Sequence, residues 1–435
     1  MARPNPSLDA SINRRKFLKV AGGTTLATAA FLAGCGGTST ASNGSKITLQ
    51  HWYSTPGEVG APEAAVRYAQ EYTKLNPNVE IKVTMIPSNY TTKLATALLS
   101  PKAPDVFQTG PAPTLDQVKA GLVAPLDDLY TSSVKADFHP QDLQALTLNN
   151  HIYGVKTLED FSVIYYRKSL LAKAGVGVPS TLDELTNAAK AMTTSKVKGL
   201  FVGNSTGARP YVYYVQAPFS AGVKLIDDQT KQVSFKTDKM AAVLSKYRAL
   251  ETSGALLDGA PTDCFDPGAF VSGLCAMQWG GMWEMPAILK QWGDDVGVFA
   301  FPSLDATVPP GVWYAGWSNS VSAKSPNVNE AKKYVKWLGI DNTQIQIDWN
   351  TGYGFHVPPR VSVAAQATKL KSGVALEAVQ LFQQYAEVTS PLWDGKMYTA
   401  LAAAISNAVQ QGKDPMSELN TAYQVCVQEL QQELG

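Results

Sequence analysis

The first folded segment of the chain alternates apolar and polar positions. In Lys46–Tyr53, Ile47 and Leu49 alternate with polar β-formers, which predicts a strand. Pro62–Asn76 then carries apolar residues at helical spacing and stops before a proline, which predicts a helix. The next segments predict strands at Val79–Met85 and Asp105–Gln108 and a helix at Asn89–Ser100. This β-α-β-α-β order predicts a parallel sheet with crossover helices, and such sheets bind ligands beyond the carboxyl ends of their strands.

A second region of the chain repeats this alternation. Its strands are predicted at Val163–Tyr166, Gly199–Gly203, Ala276–Gly280, Val296–Phe301 and Trp317–Ala323, and its helices at Thr181–Met192, Lys239–Glu251, Met282–Trp292 and Val328–Leu338. After Phe355 the pattern is helical, in Val374–Ala386, Lys396–Gln411 and Pro415–Leu434. Because 435 residues exceed what one hydrophobic core usually organises, we expect two α/β bodies.

The N-terminal segment is typical of an export signal. A basic stretch at Arg14–Lys19 precedes the apolar run Val20–Ala33, which is too short for a membrane-spanning helix of roughly 20 residues. The arginine pair resembles a twin-arginine signal, with the Sec route as the alternative, and Leu32-Ala33-Gly34-Cys35 resembles a bacterial lipobox. We expect a signal peptide at 1–34 and a lipid anchor at Cys35 on the outer face of the bacterial cytoplasmic membrane. An amphipathic N-terminal helix is the structural alternative.

The segment that follows Cys35 is built of small and polar residues, so residues 35–45 are expected to form a lipid-anchored flexible tether. Three more cysteines occur. Cys264 and Cys275 are expected either to form a disulfide outside the cytoplasm or to be buried as small apolar residues, and Cys426 is expected to be buried. With four histidines and no CxxC or HExxH motif, the sequence predicts no metal site and no cofactor.

Charge and composition narrow the class of ligand. The formal net charge of +1 excludes a dominant electrostatic footprint for nucleic acid. Outside residues 1–34 the chain carries 32 basic and 35 acidic residues, together with nine Trp and 18 Tyr. A nearly neutral protein rich in aromatic side chains suits an uncharged ligand better than a phosphate polymer.

Several short motifs occur in a fixed order along Lys46–Gly435. They are Ala103–Phe107, Gly121–Leu126, Ile152–Val155, Ile164–Tyr166, Ala172–Gly175, Pro179–Leu185, Phe270–Met277, Gly281–Trp283, Ala315–Trp317 and Thr351–Phe355. The ordered set resembles the family of extracellular solute-binding proteins that serve carbohydrate ABC importers, the maltose-binding protein among them. The chain departs from that pattern at Val155-Lys156, where relatives usually carry Pro, and at Cys275, where Lys or Ala is common.

The resemblance implies a periplasmic-binding-protein-like α/β fold, in which two α/β lobes with a hinge close around a ligand cleft between them. Lobe one would comprise residues 46–156 and 300–350, and lobe two residues 157–299 and 355–435. The resemblance also implies a monomer that captures a sugar or oligosaccharide without catalysis and delivers it to ABC permease subunits in the membrane.

A sugar ring has apolar CH faces and a belt of hydroxyls, so its site needs flat aromatic rings and planar hydrogen-bonding groups. Trp283 follows Gly280-Gly281 at a strand–helix junction, and the resemblance implies a ligand-stacking Trp there. Packing under the helix is the alternative. Glu284 is expected either to accept sugar hydroxyls or only to complement the positive end of the helix dipole.

The other candidate ligand-binding residues come from both expected lobes. The resemblance implies a hydroxyl-binding carboxylate at Asp160, an aromatic contact at Tyr211 and a ligand-lining turn at Gly316 and Trp317. Further candidates, at strand ends, in loops and ahead of a late helix, are Trp52, Glu58, Gln108, Tyr353 and Trp393. The alternatives are a solvated loop for Asp160, packing between lobes for Trp317 and core burial for Trp52.

Two other functions compete with sugar capture. A tethered carbohydrate-active enzyme would need two carboxylates about 5–9.5 Å apart, for which Asp160 and Glu284 are the candidates. Serine hydrolysis lacks support, because the chain has only four histidines to offer as the general base. A binding protein for a non-sugar solute, such as a polyamine or peptide, is the third alternative, and a polyamine site would need several acids in the cleft.

Overall fold

The computed structural model describes residues 46–434. Its strands are β1 Ile47–Ser54, β2 Val79–Ile86, β3 Val106–Thr109, β4 Thr147–Leu148, β5 His151–Ile152, β6 Val155–Arg167, β7 Lys198–Phe201, β8 Ile226–Asp227, β9 Gln232–Val233, β10 Cys275–Gly281, β11 Val296–Phe299, β12 Val312–Val321 and β13 Ala386–Glu387. Its helices are α1 Ala61–Leu75, α2 Tyr90–Leu98, α3 Leu115–Lys119, α4 Ser132–Asp137, α5 Pro140–Leu146, α6 Lys168–Ala174, α7 Leu182–Met192, α8 Arg209–Ala221, α9 Asp238–Glu251, α10 Gly268–Val271, α11 Met285–Trp292, α12 Val328–Lys336, α13 Thr343–Thr351, α14 Val361–Ala364, α15 Gly373–Tyr385, α16 Gly395–Val409 and α17 Pro415–Leu434.

A mixed sheet runs in the order β2-β1-β3-β12-β6-β10-β7, with β11 paired to β6 and β13 to β12. β1 pairs in parallel with both β2 and β3, which confirms the parallel arrangement expected for the first region. β12 runs antiparallel to β3 and β6, and β10 runs antiparallel to β6. Periodicity did not predict these antiparallel pairs, because they join strands far apart in the chain.

Most of the buried apolar side chains belong to two large hydrophobic clusters. The first cluster packs α1, β1 and β2 against α12 and includes Tyr68 and Tyr334. The second packs β6 and β10 against α7, α8, α9 and α16 and includes Tyr213 and Leu401. Full burial of a large apolar side chain stabilises a fold by about 1.5–3 kcal/mol. Because each cluster contains many such side chains, each is a hydrophobic core in its own right.

Strands β6 and β12 pass from one cluster to the other. Val155 at the start of β6 belongs to the first cluster, and Phe161 farther along belongs to the second. β12 runs the opposite way, from Val312 in the second cluster to Val321 in the first. The two crossing strands pair with each other, and the pairing register shifts between Trp317 and Ser318.

A buried polar network lies where the crossing strands meet α5. Tyr314 on β12 donates a hydrogen bond to the Asp142 carboxylate. The Lys156 ammonium lies 3.8 Å from the same carboxylate, 4.4 Å from the centre of the Tyr314 ring and 3.1 Å from the Ala315 carbonyl oxygen. Glu159 is fully buried beside them, and burial together with the Asp142 carboxylate raises the pKa of Glu159 well above its usual range. These contacts tie β6, β12 and α5 together.

Local capping chemistry explains where predicted helices begin. At α7 the Thr181 hydroxyl accepts a hydrogen bond from the Glu184 N–H at 3.3 Å. The Glu184 carboxylate in turn accepts one from the Thr181 N–H at 3.2 Å. This reciprocal capping box satisfies two N–H groups that would otherwise lack partners, and it confirms the helix predicted from Thr181 onwards.

Other boundaries differ from the sequence-based expectation. β6 begins at Val155, eight residues before the strand predicted at Val163–Tyr166. The early part of this strand contains charged residues, so the local sequence pattern does not indicate a buried strand, and neighbouring strands supply the burial. β12 likewise begins at Val312 rather than Trp317. The helix expected from Met282 starts as α11 at Met285, after a single 3₁₀ turn. Helix α8 carries apolar residues all round, and periodicity did not predict it.

The predicted signal peptide, the lipid anchor at Cys35 and the tether lie outside the described residues. Within residues 46–434, no helix combines the length and the apolar character needed to cross a membrane.

The structure resolves the alternative left open for the cysteines. Cys264, Cys275 and Cys426 are buried and unbridged. Burial raises the pKa of the Cys426 thiol to about 12 and raises the pKa of the other two thiols further. They therefore pack as small apolar side chains, which was one of the two alternatives for Cys264 and Cys275, and the other alternative, a disulfide between them, is not formed.

This arrangement predicts how the thiols react. In a chain carrying Cys35→Ser, Ellman's reagent should find almost no reactive thiol in the native protein, because the three remaining thiols are buried and protonated. After denaturation without reductant it should find all three. A count of one thiol after denaturation would mean that two cysteines are bridged and would contradict the structure.

Candidate ligand-binding site

A cavity of about 550 Å³ lies beyond the carboxyl ends of β1, β3 and β10, against the crossing strands β6 and β12. Its size falls in the usual range for small-molecule sites, and its position at the strand ends agrees with the general rule for α/β sheets. Segments on both sides of the crossing contribute to it, from the loop after β1 to helix α8 and the residues that follow α13.

Aromatic side chains form much of the cavity wall. Trp283 stacks against Phe265 with ring centres 6.2 Å apart and planes inclined by 27°. The Trp283 Nε1–H also donates a hydrogen bond of 3.0 Å to the Phe265 carbonyl oxygen. Trp313, Trp317 and Tyr211 also line the cavity. Because Trp283 is held both by stacking and by its N–H, its ring is fixed before any ligand arrives.

Two glycines make the position of these rings possible. A Cβ atom at Gly281 would lie 1.8 Å from the six-membered ring of Trp283, so only glycine leaves room for that ring. Gly316 has φ of +106°, and a Cβ there would lie 2.3 Å from the Leu158 carbonyl oxygen. Gly316 therefore lets β12 approach β6 closely enough to present Trp317 to the cavity.

The cavity also contains a buried charge cluster. The His356 Nε2 lies 2.5 Å from the Glu58 Oε1, and its Nδ1 lies 3.2 Å from the Asp160 Oδ2. Asp160 Oδ1 accepts backbone hydrogen bonds from Phe161 at 3.0 Å and from Met282 at 3.3 Å. His356 thus bridges carboxylates from the loop after β1 and from β6, and Asp160 joins this bridge to the end of β10.

Opposing forces set the protonation of the cluster. Burial acts to lower the pKa of His356, but Asp160 and Glu58 outweigh it and raise that pKa to about 10. Burial acts to raise the pKa of Glu58, yet the contact with His356 brings it below its usual value. For Asp160, burial dominates and raises the pKa against the opposing pull of His356. At neutral pH the cluster is therefore a cationic imidazole held between carboxyl groups.

Eight of the eleven side chains or backbone positions predicted to bind ligand line this one cavity. They are Glu58, Gln108, Asp160, Tyr211, Trp283, Gly316, Trp317 and Tyr353. Residues separated by almost 300 positions in the chain are brought together here. Gln108 is buried, and its side-chain oxygen accepts a hydrogen bond from the Ser54 N–H at 3.1 Å. Part of the hydrogen-bonding capacity of this side chain is therefore already used.

The other three predicted residues lie outside the cavity wall. Trp52 packs against the small apolar cluster around Tyr90, which corresponds to the core alternative. Glu284 is fully buried and accepts hydrogen bonds from the Gln278 side chain at 2.9 Å and from the Gly281 N–H at 3.3 Å, so it caps a helix start. Trp393 donates its Nε1–H to the Tyr214 hydroxyl at 2.8 Å.

Sequence reasoning missed several residues of the cavity wall, chiefly Phe265, Trp313, Trp349 and His356. Trp313 carried a usable signal, because Trp313, Ala315 and Trp317 alternate along β12 and therefore share one face. Phe265 and His356 lie in irregular segments, where no periodicity marks which side chains face a cleft. His356 is visible only once the fold places it between two carboxylates.

Comparisons with known proteins agree with this architecture. A family model described as bacterial extracellular solute-binding protein matches residues 67–378. An uncharacterised ABC transporter extracellular-binding protein of Pyrococcus horikoshii is 26% identical over 336 residues, which cover 74% of this chain and 73% of that protein. The diacetylchitobiose binding protein DasA of Streptomyces coelicolor is 28% identical over 270 residues, 56% of this chain and 58% of that protein.

The fold has a close counterpart among solved structures. The GacH receptor of Streptomyces glaucescens, solved unliganded and in complex with acarbose, matches with a TM-score of 0.76 at 22% sequence identity, over 89% of this chain and 99% of that chain. This likeness confirms the periplasmic-binding-protein-like α/β fold expected from the ordered motifs. Because the family model spans well over half of the sequence, the chain belongs to the family of bacterial extracellular solute-binding proteins.

Proposed function

We propose that the protein captures a neutral sugar or oligosaccharide in this cavity and delivers it to the membrane subunits of an ABC importer. The observation that carries the proposal is the combination of fixed aromatic faces, led by Trp283, with a cluster in which both carboxylates already pair with His356. Rings suit the CH faces of a sugar, and charge-assisted acceptors suit its hydroxyls.

The charges in the cavity wall favour an uncharged ligand. Among the described residues that line it, the acids are Glu58 and Asp160, and both pair with His356. A polyamine would need carboxylates that are free to pair with its ammonium groups. An anionic ligand would need a cation that is not already flanked by carboxylates. A sugar needs neither, because its hydroxyls donate to carboxylate oxygens that keep unused lone pairs.

The relatives support the same class of ligand. One is described as binding diacetylchitobiose, and the structural counterpart was solved with acarbose. The first protein matches this chain in sequence and the second in fold, and on this support a sugar or oligosaccharide is the ligand class we assign to it.

The chain is a binding protein rather than an enzyme, as its family implies. Of the two carboxylates considered for glycoside cleavage, only Asp160 lines the cavity. Glu284 is buried outside the cavity wall and occupied by Gln278, whereas Asp160 is engaged with His356. A retaining or inverting mechanism requires both carboxyl groups to flank the bond that breaks.

We further propose the division into two lobes that close on the ligand, with 46–156 and 300–350 in one and 157–299 and 355–435 in the other. The two hydrophobic clusters and the crossing strands β6 and β12 support it. Packing favours one adjustment: Phe301, Val312 and Tyr314 pack with the second cluster, so the change of lobe falls within β12, near Gly316.

The cellular setting follows from the family and the N-terminal sequence. Extracellular solute-binding proteins act outside the cytoplasmic membrane, and we propose that residues 1–34 direct export and that Cys35 carries the lipid anchor. Residues 35–45 would then tether a monomeric binding domain within reach of its permease.

Replacing Trp283 tests the site. Trp283→Ala should weaken sugar binding at least tenfold, which corresponds to about 1.4 kcal/mol, because it removes the fixed ring face. Isothermal titration with the best sugar from a thermal-shift panel of sugars, amines and peptides measures the change. Unchanged affinity in a folded variant would show that Trp283 is not part of the site. A panel in which only amines or peptides stabilise the protein would contradict the assignment of a sugar as the ligand.

A glycine pair provides a matched test of ring position. Gly281→Ala should weaken sugar binding about as strongly as Trp283→Ala, because the added methyl group displaces the indole. Gly177→Ala is the control, since a Cβ there meets nothing within 4 Å. Both affinities are measured by the same titration. Equal affinities in the two variants would show that the indole position does not matter.

The charge cluster predicts how stability depends on pH. The pKa of His356 is about 10 in the folded chain and about 6.5 when unfolded. Its stabilisation is therefore complete below pH 6.5 and is lost as the pH rises towards 10. The free energy of unfolding of the wild type, minus that of His356→Gln, should fall on the order of 3 kcal/mol across this window. Denaturant titrations at pH 6 and pH 9.5 measure it, and a pH-independent difference would contradict the cationic imidazole.

A further inference from the structure

A second cavity of about 170 Å³ adjoins the ligand cavity. Tyr211 and Trp313 line both cavities. Their rings meet edge to face, with centres 5.9 Å apart and planes at 89°. The boundary between the cavities is therefore a pair of aromatic side chains that face both of them.

We call this second cavity the annex and define it by Tyr214, Tyr398, Asp228, Glu387 and Lys224 in its wall. The Tyr214 and Tyr398 rings meet edge to face with centres 4.6 Å apart. Tyr398 is 38% exposed, so the annex opens to solvent. Its wall has the composition of the main cavity: ring faces stand beside hydrogen-bonding groups, and charges of both signs are present.

Buried contacts hold the annex in shape. The Trp393 Nε1–H donates to the Tyr214 hydroxyl at 2.8 Å, and the Trp393 ring packs edge to face on Phe235. The Ser390 hydroxyl, which is 7% exposed, donates to the Asp228 carboxylate at 2.6 Å. A wall that is fixed in advance spares a ligand the cost of ordering it. Trp393, expected from the sequence to stack on ligand, thus acts through Tyr214 as a positioning residue.

We infer that the annex is an additional sugar subsite and that the ligand is an oligosaccharide whose chain passes Tyr211 and Trp313 to end against Tyr214 and Tyr398. The inference rests on the proposed sugar-binding function. A short sugar occupies the main cavity alone. A longer sugar gains contacts once its chain is long enough to place a ring in the annex. Affinity therefore depends on the length of the sugar chain as well as on the kind of sugar unit.

The test is a titration of the full chain with two series of probes, from glucose to maltopentaose and from N-acetylglucosamine to chitopentaose. In the wild type, one series should show affinity that rises by about tenfold between the disaccharide and the longer members. Tyr398→Ala should abolish this gain while leaving disaccharide affinity within about twofold. Tyr398→Phe, which keeps the ring, should retain the gain.

Trp283→Ala serves as the matched contrast, because it should weaken every length alike. The inference is overturned if affinity in the wild type does not rise with length, or if Tyr398→Ala weakens short and long sugars equally. In either case sugar binding itself stands. If no member of either series binds the wild type, the proposed function fails for these sugars and the inference fails with it.

A positioning variant supplies an independent readout. Trp393→Phe keeps an aromatic ring against Phe235 but removes the donor to the Tyr214 hydroxyl. It should reduce the gain with chain length and leave both disaccharide affinity and the thermal midpoint nearly unchanged. A variant that loses thermal stability but keeps the full gain would assign Trp393 a purely structural role.

Discussion

β12 passes β6 with no side chain between them at Gly316, and the shape of the ligand cavity depends on that close crossing. Any Cβ at this position would fall 2.3 Å from the Leu158 carbonyl oxygen. The crossing strands carry Asp160 and Trp317 into the cavity, while Lys156 and Tyr314 join the buried network with α5. The backbone that joins the two hydrophobic clusters is therefore also the backbone that positions ligand-facing groups.

The pairing of two carboxylates with one imidazole sets the chemistry of the site. A buried carboxylate without a partner would be costly, and two carboxylates near each other costlier still. His356 resolves this by standing between Glu58 and Asp160, each of which retains oxygen lone pairs for a ligand. The same cluster links three segments of the chain. Recognition and structural integrity therefore share one set of contacts, and flat rings such as Trp283 supply the remaining affinity.

Regular periodicity explains which parts of the fold were predictable. The β1-α1-β2 segments and helix α7 carry local patterns and caps, so their boundaries follow from the sequence within one or two residues. β6 was only partly predicted, because Lys156, Glu159 and Asp160 are charged and gain their burial from distant strands. No local rule identifies a strand whose polar groups are satisfied by tertiary contacts.

In the candidate site, too, some residues could be predicted from the sequence and others depend on tertiary contacts. Family motifs and strand–helix junctions pointed to eight of the residues that line the cavity, including Trp283. They did not separate a side chain that faces the cavity from one that supports it, as Glu284 and Trp393 illustrate. Nor did any motif mark His356 or Phe265, because loop conformation alone brings them to the cavity. Orientation depends on packing, and packing is a property of the whole chain.

A crystal structure of the protein with a bound sugar tests the central claim most directly. The account predicts a ring lying flat against Trp283, with hydroxyls donating hydrogen bonds to the carboxylates of the His356 cluster. It would be contradicted by a sugar bound away from these groups, or by a cationic ligand that displaces His356 from between Glu58 and Asp160.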